Sequence, residues 1–362
     1  MSVTDGVYLE DENIQVEVRL ESPASKDISV QFETLDGTAI APEDYEPANG
    51  TMSFAPGEVM KTIAINQVRD TIREDDEYFY IKLSAATNAS IGNEFAKITL
   101  RNDDTFFPVT AGGYTTPESY PGYDLEWSDE FNANELNTSD WTFDLGDGCP
   151  NCGWGNNELE WYTDKPENVF LSNGYLILEA RRESLGGKEY TSSRIKTQGL
   201  KNFQYGRIDI RALMPVGQGI WPAIWMLGEN ITDVGWPACG EIDIMEYLGH
   251  EPGIVHGTGH WGSSVSSHAF QGNSIQPSGD DYATAFHVFS IEWKENEIKW
   301  LMDNQQYFIL DSGITGDPFP YNAPFFFILN VAVGGDWPGS PDANTSFPQQ
   351  MVVDYIRVFK KQ

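Results

Sequence analysis

Gly240-Glu241-Ile242-Asp243-Ile244-Met245-Glu246-Tyr247 places three carboxylates within six residues of an otherwise apolar, β-prone run. Burying a carboxylate without a partner is costly, so buried charges generally have a partner or a task. Two carboxyl groups flanking one bond are the machinery of glycoside hydrolysis: one protonates the leaving oxygen, the other attacks or activates water. The plain alternative is an edge strand with solvated charges. Ile242, Ile244 and Met245 weigh against it, because they make a buried setting for the run.

A strand must carry these groups, and its period limits how. Side chains alternate, so a regular strand puts Glu241, Asp243 and Met245 on one face and Ile242, Ile244 and Glu246 on the other. Glu246 then points away from Glu241. One extra residue, a β-bulge at about Ile244-Met245, returns it to the same face. The two Glu Cα atoms would lie about 13 Å apart, four strand steps. Side chains converging across a concave sheet can leave about 5–5.5 Å between the carboxyl groups, the spacing of a retaining mechanism.

The chain has 362 residues, which favours two domains, and its 40% hydrophobic content supplies sizeable cores. Short alternating runs punctuated by 34 Gly and 20 Pro predict an all-β protein. A net charge of −33 disfavours nucleic acid and anionic membranes as partners and suits a neutral substrate and cation sites. No apolar run reaches transmembrane length and no N-terminal export-signal pattern is visible, so membrane insertion is not expected and the chain reads as a mature fragment. Three cysteines are too few for a disulfide framework. Cys149-Pro150-Asn151-Cys152, without a second ligand pair, is a weak metal signal and reads as structural or free thiols; Cys239 reads as packing.

Tryptophan use marks a boundary: all eleven lie at or beyond Trp127. Residues 1–104 hold alternating strands such as Ile14–Val18 and Ile28–Phe32, with turn signals at Asp36-Gly37, Asn49-Gly50 and Pro56-Gly57, the spacing of a β-sandwich. Residues 105–122, rich in Pro, Gly, Thr and Ser, read as a linker of limited flexibility. Residues 123–362 alternate strands with aromatic-rich turns and show no helical periodicity, which fits a two-sheet jelly roll.

The first segment resembles the Calx-beta module, through Asp36-Gly37-Thr38-Ala39, Asp44-Tyr45, Gly50–Phe54, Pro56-Gly57-Glu58, the acidic run Asp70–Glu77 and Asp103-Asp104. That resemblance implies calcium at acidic loops, carried here by Glu10, Asp44, Asp70, Glu74, Asp103 and Asp104; a charged, solvated loop surface is the alternative.

The second segment resembles the laminarinase branch of glycoside hydrolase family 16. Glu241-Ile242-Asp243-Ile244-Met245-Glu246 matches its ExDxxE signature, and Trp127–Phe131, Trp154–Glu158, Trp221–Leu227, Gly235-Trp236-Pro237, His260-Trp261 and Asn330–Gly335 follow in order. The resemblance implies a jelly roll with a concave glycan cleft and retaining endo-hydrolysis of β-1,3-glucan, without a catalytic cofactor. Glu241 would be the nucleophile, Glu246 the acid and then base, and Asp243 an assisting group beside the nucleophile. A shorter ExDxE form belongs to lichenase-like relatives, while agar- and carrageenan-cleaving relatives share the longer one. Hydrolysis of mixed-linkage glucan or of another polysaccharide of this family, and non-catalytic glucan binding, are the alternatives.

Sugar faces need aromatic platforms, and hydroxyls need planar polar groups. Trp221 and Trp225 share a strand face, with core packing as the alternative reading. Trp236 and Trp337 sit in Gly/Pro turns, and Asn156 and Arg194 match positions that hydrogen-bond sugars; Arg194 could instead form an ion pair. His256 and His260 invite a zinc reading, but four strand steps separate them too far to chelate one ion. His260 reads as a cleft residue, and His250, His256, His268 and His287 as structural. By resemblance, Glu130, Asp354 and the Gly174 carbonyl would hold a structural calcium on the convex side. A polymeric substrate implies a secreted, cell-surface or periplasmic protein, acting as a monomer.

Overall fold

The burial pattern follows the sequence alternation. In Ile14–Arg19 the side chains of Ile14, Val16 and Val18 are buried and those between them are not. Each such burial contributes roughly 1.5–3 kcal/mol. The computed structural model describes residues 1–104, 106–109, 112–276, 282–316 and 318–362. It is all-β in architecture, with two short helical turns and one 3-10 turn among the described residues, and divides into Met1–Pro108 and Val109–Gln362.

The first unit is a sandwich. A three-stranded sheet (Ser2–Val3, Ile14–Arg19, Met60–Ile65) and a five-stranded sheet (Gly6–Leu9, Phe95–Arg101, Glu77–Thr87, Ile28–Asp36, Asn49–Phe54) enclose a core that includes Val16, Val30, Phe54, Phe79, Ile81 and Ile98.

The second unit is a two-sheet jelly roll. Its seven-stranded sheet runs in the order Thr142–Phe143, Arg194–Lys196, Phe325–Val333, Ile220–Gly228, Glu241–Tyr247, Val255–Trp261, Ala269–Ile275. An eight-stranded sheet, centred on the long strand Gln349–Lys361, packs against it. Ile224, Met226, Ile242 and Met245 from the first sheet meet Ile208, Ile291, Trp300 and Val353 from the second. Phe325–Val333 is buried along its whole length; its sole polar side chain, Asn330, is hydrogen-bonded at both ends, to Trp225 and Tyr162.

Three expectations change. The 105–122 segment, expected only as a linker of limited flexibility, is bonded to the second unit in its second half. Gly113 bridges to Phe286, Thr116 N donates to the Tyr355 hydroxyl at 2.9 Å, and the Tyr120 hydroxyl donates to Asp209 at 2.6 Å. Its backbone carbonyls accept from Arg211 and Arg357, so buried cations of the second unit recruit a segment whose composition signals only irregular backbone. Thr105, Thr110 and Ala111 lie outside the described residues. Second, Cys149 and Cys152 form a disulfide rather than free thiols. The hydrogen bonds Asn151 N to Gly148 O and Gly153 N to Asp147 O curl the loop until the two Cα atoms are 4.0 Å apart. This pairing also removes the CxxC metal reading. Cys239, as expected, packs in a small apolar cluster with Leu227, Phe326 and Ile328.

Third, the calcium set Glu130, Gly174 and Asp354 does not fit as expected. Strand register does bring the three to one sheet end, since Asp129 pairs with Ile356 and Leu176 with Val353. However, both Glu130 oxygens accept from Arg357, at 2.8 and 2.7 Å, and Asp354 accepts from Arg211 at 2.6 Å. Side-chain cations already neutralise the carboxylates that were to hold the metal.

Candidate active site

The strand Glu241–Tyr247 carries the bulge that its alternation demands. Against Ile220–Gly228, Met245 pairs with Ile224 and Asp243 with Trp225, leaving Ile244 unmatched. Against Val255–Trp261, Asp243 pairs with Thr258 and Glu246 with His256, so Ile244 and Met245 together oppose Gly257. Both apolar residues sit in the core. Trp300 Nε1, from the opposite sheet, donates to the Asp243 carbonyl at 2.8 Å, occupying a backbone acceptor at the interrupted ladder. Paired residues share a face, so Glu241 lines up with Leu227 and His260, Asp243 with Trp225 and Thr258, and Glu246 with Ala223 and His256. All three carboxylates therefore face away from the core.

Burial raises all three acids, but their partners differ. Glu241 is pushed up to about 8 by desolvation and then by the Asp243 charge, and His260, the Trp236 indole and Arg194 oppose the rise. Asp243 is likewise pushed up to about 8 by desolvation. Glu246 is raised well above the ordinary carboxyl range by desolvation, then by Asp243, with Glu241 adding to it. Trp236 Nε1 donates to Glu241 Oε2 at 3.1 Å. His260 Nε2 lies 3.2 Å from Asp243 Oδ2 and 3.8 Å from Glu241 Oε1; Asp243 Oδ2 has no well-aligned hydrogen bond. Trp221 opposes the rise at Glu246, although its indole nitrogen makes no well-formed hydrogen bond. Glu241 is thus better equipped with donors to stay ionised, and Glu246 is the group best suited to hold a proton.

Aromatic walls flank the trio. Trp337, 42% exposed, meets Trp221 edge-on with ring centres 5.6 Å apart and lies 5.0 Å from His256. Trp236, 37% exposed, lies 4.6 Å from His268. Trp225 is held by Asn330 and lies under the Arg194 guanidinium, 4.9 Å away. Arg194 forms an ion pair with Asp144 at 3.0 Å, the alternative foreseen for it, and also stacks on Trp154. Asn156 donates its side-chain amide to Glu158 at 3.0 Å, and its backbone carbonyl accepts from Asp336 N beside Trp337. Gly335 separates it from Trp221: a Cβ there would lie 3.1 Å from Asn156 O and 3.6 Å from the Trp221 ring.

The histidines divide differently from the sequence reading. His256 and His260 stand beside Glu246 and Glu241 respectively, at the two ends of the trio, so they do not chelate one ion. His256 is nevertheless a cleft-face residue, and His268 packs on His260 and Trp236 instead of serving the core. Phe270, 65% exposed, stacks on both His260 and His268. Asn330 was also missed as a site residue, although one amide inside Phe325-Phe326-Phe327-Ile328-Leu329-Asn330-Val331 is a visible anomaly.

In the first unit, five of the six expected calcium residues fall into two groups, and Asp70 lies outside both. Glu10, Asp103 and Asp104 bring ligand atoms within 4.8 Å of one another, and Asp44 and Glu74 do so with Glu77, which was not foreseen. Asp70 accepts from Ile72 N and bears on Glu10 and Glu74 through its charge. Desolvation and then neighbouring carboxylates raise Glu10 to about 7, and desolvation and Asp44 raise Glu77 to about 8. Crowded oxygens of one sign fit a hard divalent cation.

Two facing sheets, with paired carboxylates and exposed indoles on one outer face, define a glycoside hydrolase. The chain belongs to the glycosyl hydrolases family 16, whose sequence profile matches residues 154–357, and residues 4–104 match the Calx-beta domain. The laminarinase catalytic domain of Thermotoga maritima is 47% identical, with a TM-score of 0.62 over 66% of this chain and 99% of that one. A beta-glucanase of Rhodothermus marinus is 41% identical over 68% of this chain and 89% of its own length. The glucan endo-1,3-beta-glucosidase A1 of Niallia circulans is 36% identical over 77% of this chain, which spans 45% of that protein's length.

Proposed function

We propose that the second unit hydrolyses β-1,3-glucosidic bonds in glucans such as laminarin, in endo mode and with retention, as an endo-1,3-beta-glucanase. The observation that carries this reading is the bulge that turns Glu241, Asp243 and Glu246 to one face between exposed tryptophans. Glu246 donates its proton to the glycosidic oxygen while the Glu241 carboxylate attacks the anomeric carbon and the carbon–oxygen bond breaks. Glu246, now a base, takes a proton from water, which attacks the same carbon and releases Glu241. His260 and the Trp236 indole support the charge of the nucleophile, Asp243 sits beside it and orients His260, and Trp221, Trp225, Trp236 and Trp337 offer faces to the sugar rings, with Asn156 and Arg194 at the polar margin.

Replacing Glu241 by Ser is expected to abolish release of reducing ends from laminarin with the melting temperature kept. NMR of the first-formed anomer should show the β configuration; an α product, or full activity in the variant, would overturn the roles. Side-by-side assays on laminarin, lichenan, agarose and carrageenan separate this substrate from its alternatives, with laminarin expected to be cleaved fastest. Both glutamates are present, which argues against a purely binding role. We read the acidic groups of the first unit as calcium sites. We place the protein outside the cytoplasm, acting as a monomer, which cell fractionation and light scattering test.

A further inference from the structure

Two donors bear on the acid assigned as nucleophile, the Trp236 indole and the His260 imidazole, and both rest against one residue. His268 Nε2 lies 2.9 Å from His260 Nδ1, and its ring centre lies 4.6 Å from that of Trp236. The His260 and His268 rings are nearly parallel, at 11°, and Phe270 stacks on the pair, 5.6 Å from His260 and 5.9 Å from His268. His268 is on the approach to the sheet's last strand, where Phe270 is paired with His260.

We propose that His268 is a positioning residue for the hydrolysis: its hydrogen bond holds His260 in the one ring orientation that aims an Nε2 hydrogen at Asp243 and Glu241, while its ring braces Trp236. This rests on the assignment of Glu241 as nucleophile for its consequence in catalysis, though not for the geometry.

Hydrogen counting supports it. His260 Nε2 faces two carboxyl oxygens, so it must carry a hydrogen whenever they are ionised. The contact between Nδ1 and the Nε2 of His268 holds one hydrogen. Either neutral His260 accepts it from His268, or charged His260 donates it; in both cases the donor on the carboxylate side is retained. A flipped His260 ring would break this bond and turn a carbon toward Asp243. Burial and the His260 charge keep His268 itself below the ordinary imidazole range, as suits a neutral partner. The titratable groups facing His260 are Glu241 and Asp243, with Glu246 further along the same strand and His268 on the other side. Arg194 also favours the ionised form of Glu241, and the charges of Asp243 and Glu241 raise the nearby Tyr321 hydroxyl. Losing the aimed hydrogen therefore makes Glu241 harder to ionise.

The test uses the full chain and three variants. His268→Ala removes bond and ring, His268→Phe keeps a ring against Trp236 without the bond, and His268→Gln keeps an amide at the Nε2 position. With laminarin, the acidic limb of kcat/KM, which follows ionisation of the nucleophile in the free enzyme, is expected to move up by about half a pH unit or more in the Ala and Phe variants. It should return toward the parent in the Gln variant. Long-range 1H–15N spectra without substrate, assigned through His260 and His268 variants, should show one His260 tautomer in the parent and a mixture in the Ala and Phe variants. A His260 pattern unchanged in both of these, or a Phe variant identical to the parent in both measurements, overturns the proposal. If laminarin is not cleaved even by the parent while the tautomer pattern changes as expected, the positioning role stands and the substrate reading fails.

Discussion

Glu241 and Glu246 are the same residue type on the same strand, and only their neighbours separate their tasks. Desolvation lifts both, and the negative charge of Asp243 adds to each. Glu241 has an indole N–H at 3.1 Å and an imidazole at 3.8 Å, which draw its proton off. Replacing Trp236 by Phe keeps the ring and deletes the donor. Losing a bond to the charged form raises an acid already near 8, so the ionised fraction at neutral pH falls and the acidic limb of kcat/KM moves to higher pH. A hydrogen bond to a charged group is worth about 1.5–3 kcal/mol, so a roughly ten- to hundredfold fall in kcat/KM on laminarin at pH 6 is expected, shrinking as pH rises. A pH-independent loss would mean that Trp236 acts only as a sugar platform. The acid trio was legible in the sequence because carboxylates in an apolar run demand explanation. The donors were only half legible: Trp236 is five residues from Glu241 and stood out, whereas His268 is 27 residues away and met Glu241's other donor only through strand pairing.

At the level of the strand, the bulge depends on what lies across from it. Ile244 and Met245 oppose Gly257, and this glycine leaves no space for a side chain: a Cβ would stand 2.5 Å from Trp300 Cδ1 and closer still to the Tyr307 hydroxyl. Trp300 is also the donor to the Asp243 carbonyl. Gly257→Ala should therefore press on the tryptophan that supports the bulge, destabilising the second unit by about 1–3 kcal/mol and lowering kcat on laminarin at the same time. Chemical denaturation and steady-state kinetics check this; a variant of parental stability would show that the neighbouring strand can move aside. Strand period alone predicted the bulge, since without it Glu246 faces the core. Nothing local predicted Trp300 as its support, because that contact spans 57 residues and crosses between sheets.

For the molecule as a whole, a net charge of −33 is concentrated in part on the first unit's loops, where two sets of carboxylates crowd together. Glu10 near 7 and Glu77 near 8 lie above their unfolded values. Their protonated forms thus favour the folded unit fully below about pH 4.5, and this support is lost as pH rises through 7 to 8. A divalent cation would substitute for the protons. In calorimetry of the full chain, the transition of the first unit is expected to fall between pH 5 and 8 in chelator. Calcium should restore it at pH 8, by about 2.7 kcal/mol at a hundredfold excess over Kd. It should do little at pH 4.5, and Asp44→Ala should weaken the response. A calcium-independent transition at pH 8 would leave the solvated-surface reading.

What the sequence determined by itself was whatever depends on near neighbours. Alternation set the strands, the absence of tryptophan before Trp127 set a first segment apart from the rest, and the carboxylate spacing implied both a bulge and a chemistry. Tertiary structure decided which distant groups satisfy one another. Arg357 and Arg211 take up Glu130 and Asp354, two buried arginines hold the segment before Tyr123, Glu77 joins Asp44 and Glu74, and His268 finds His260. The reason is physical: side-chain direction along a strand follows from its period of two, whereas lateral partners depend on register and on loops that composition does not specify. For the opening carboxylates, the strand's own residues explain why they share a face, and only the neighbouring strands and turns explain why one keeps a proton and another gives it up.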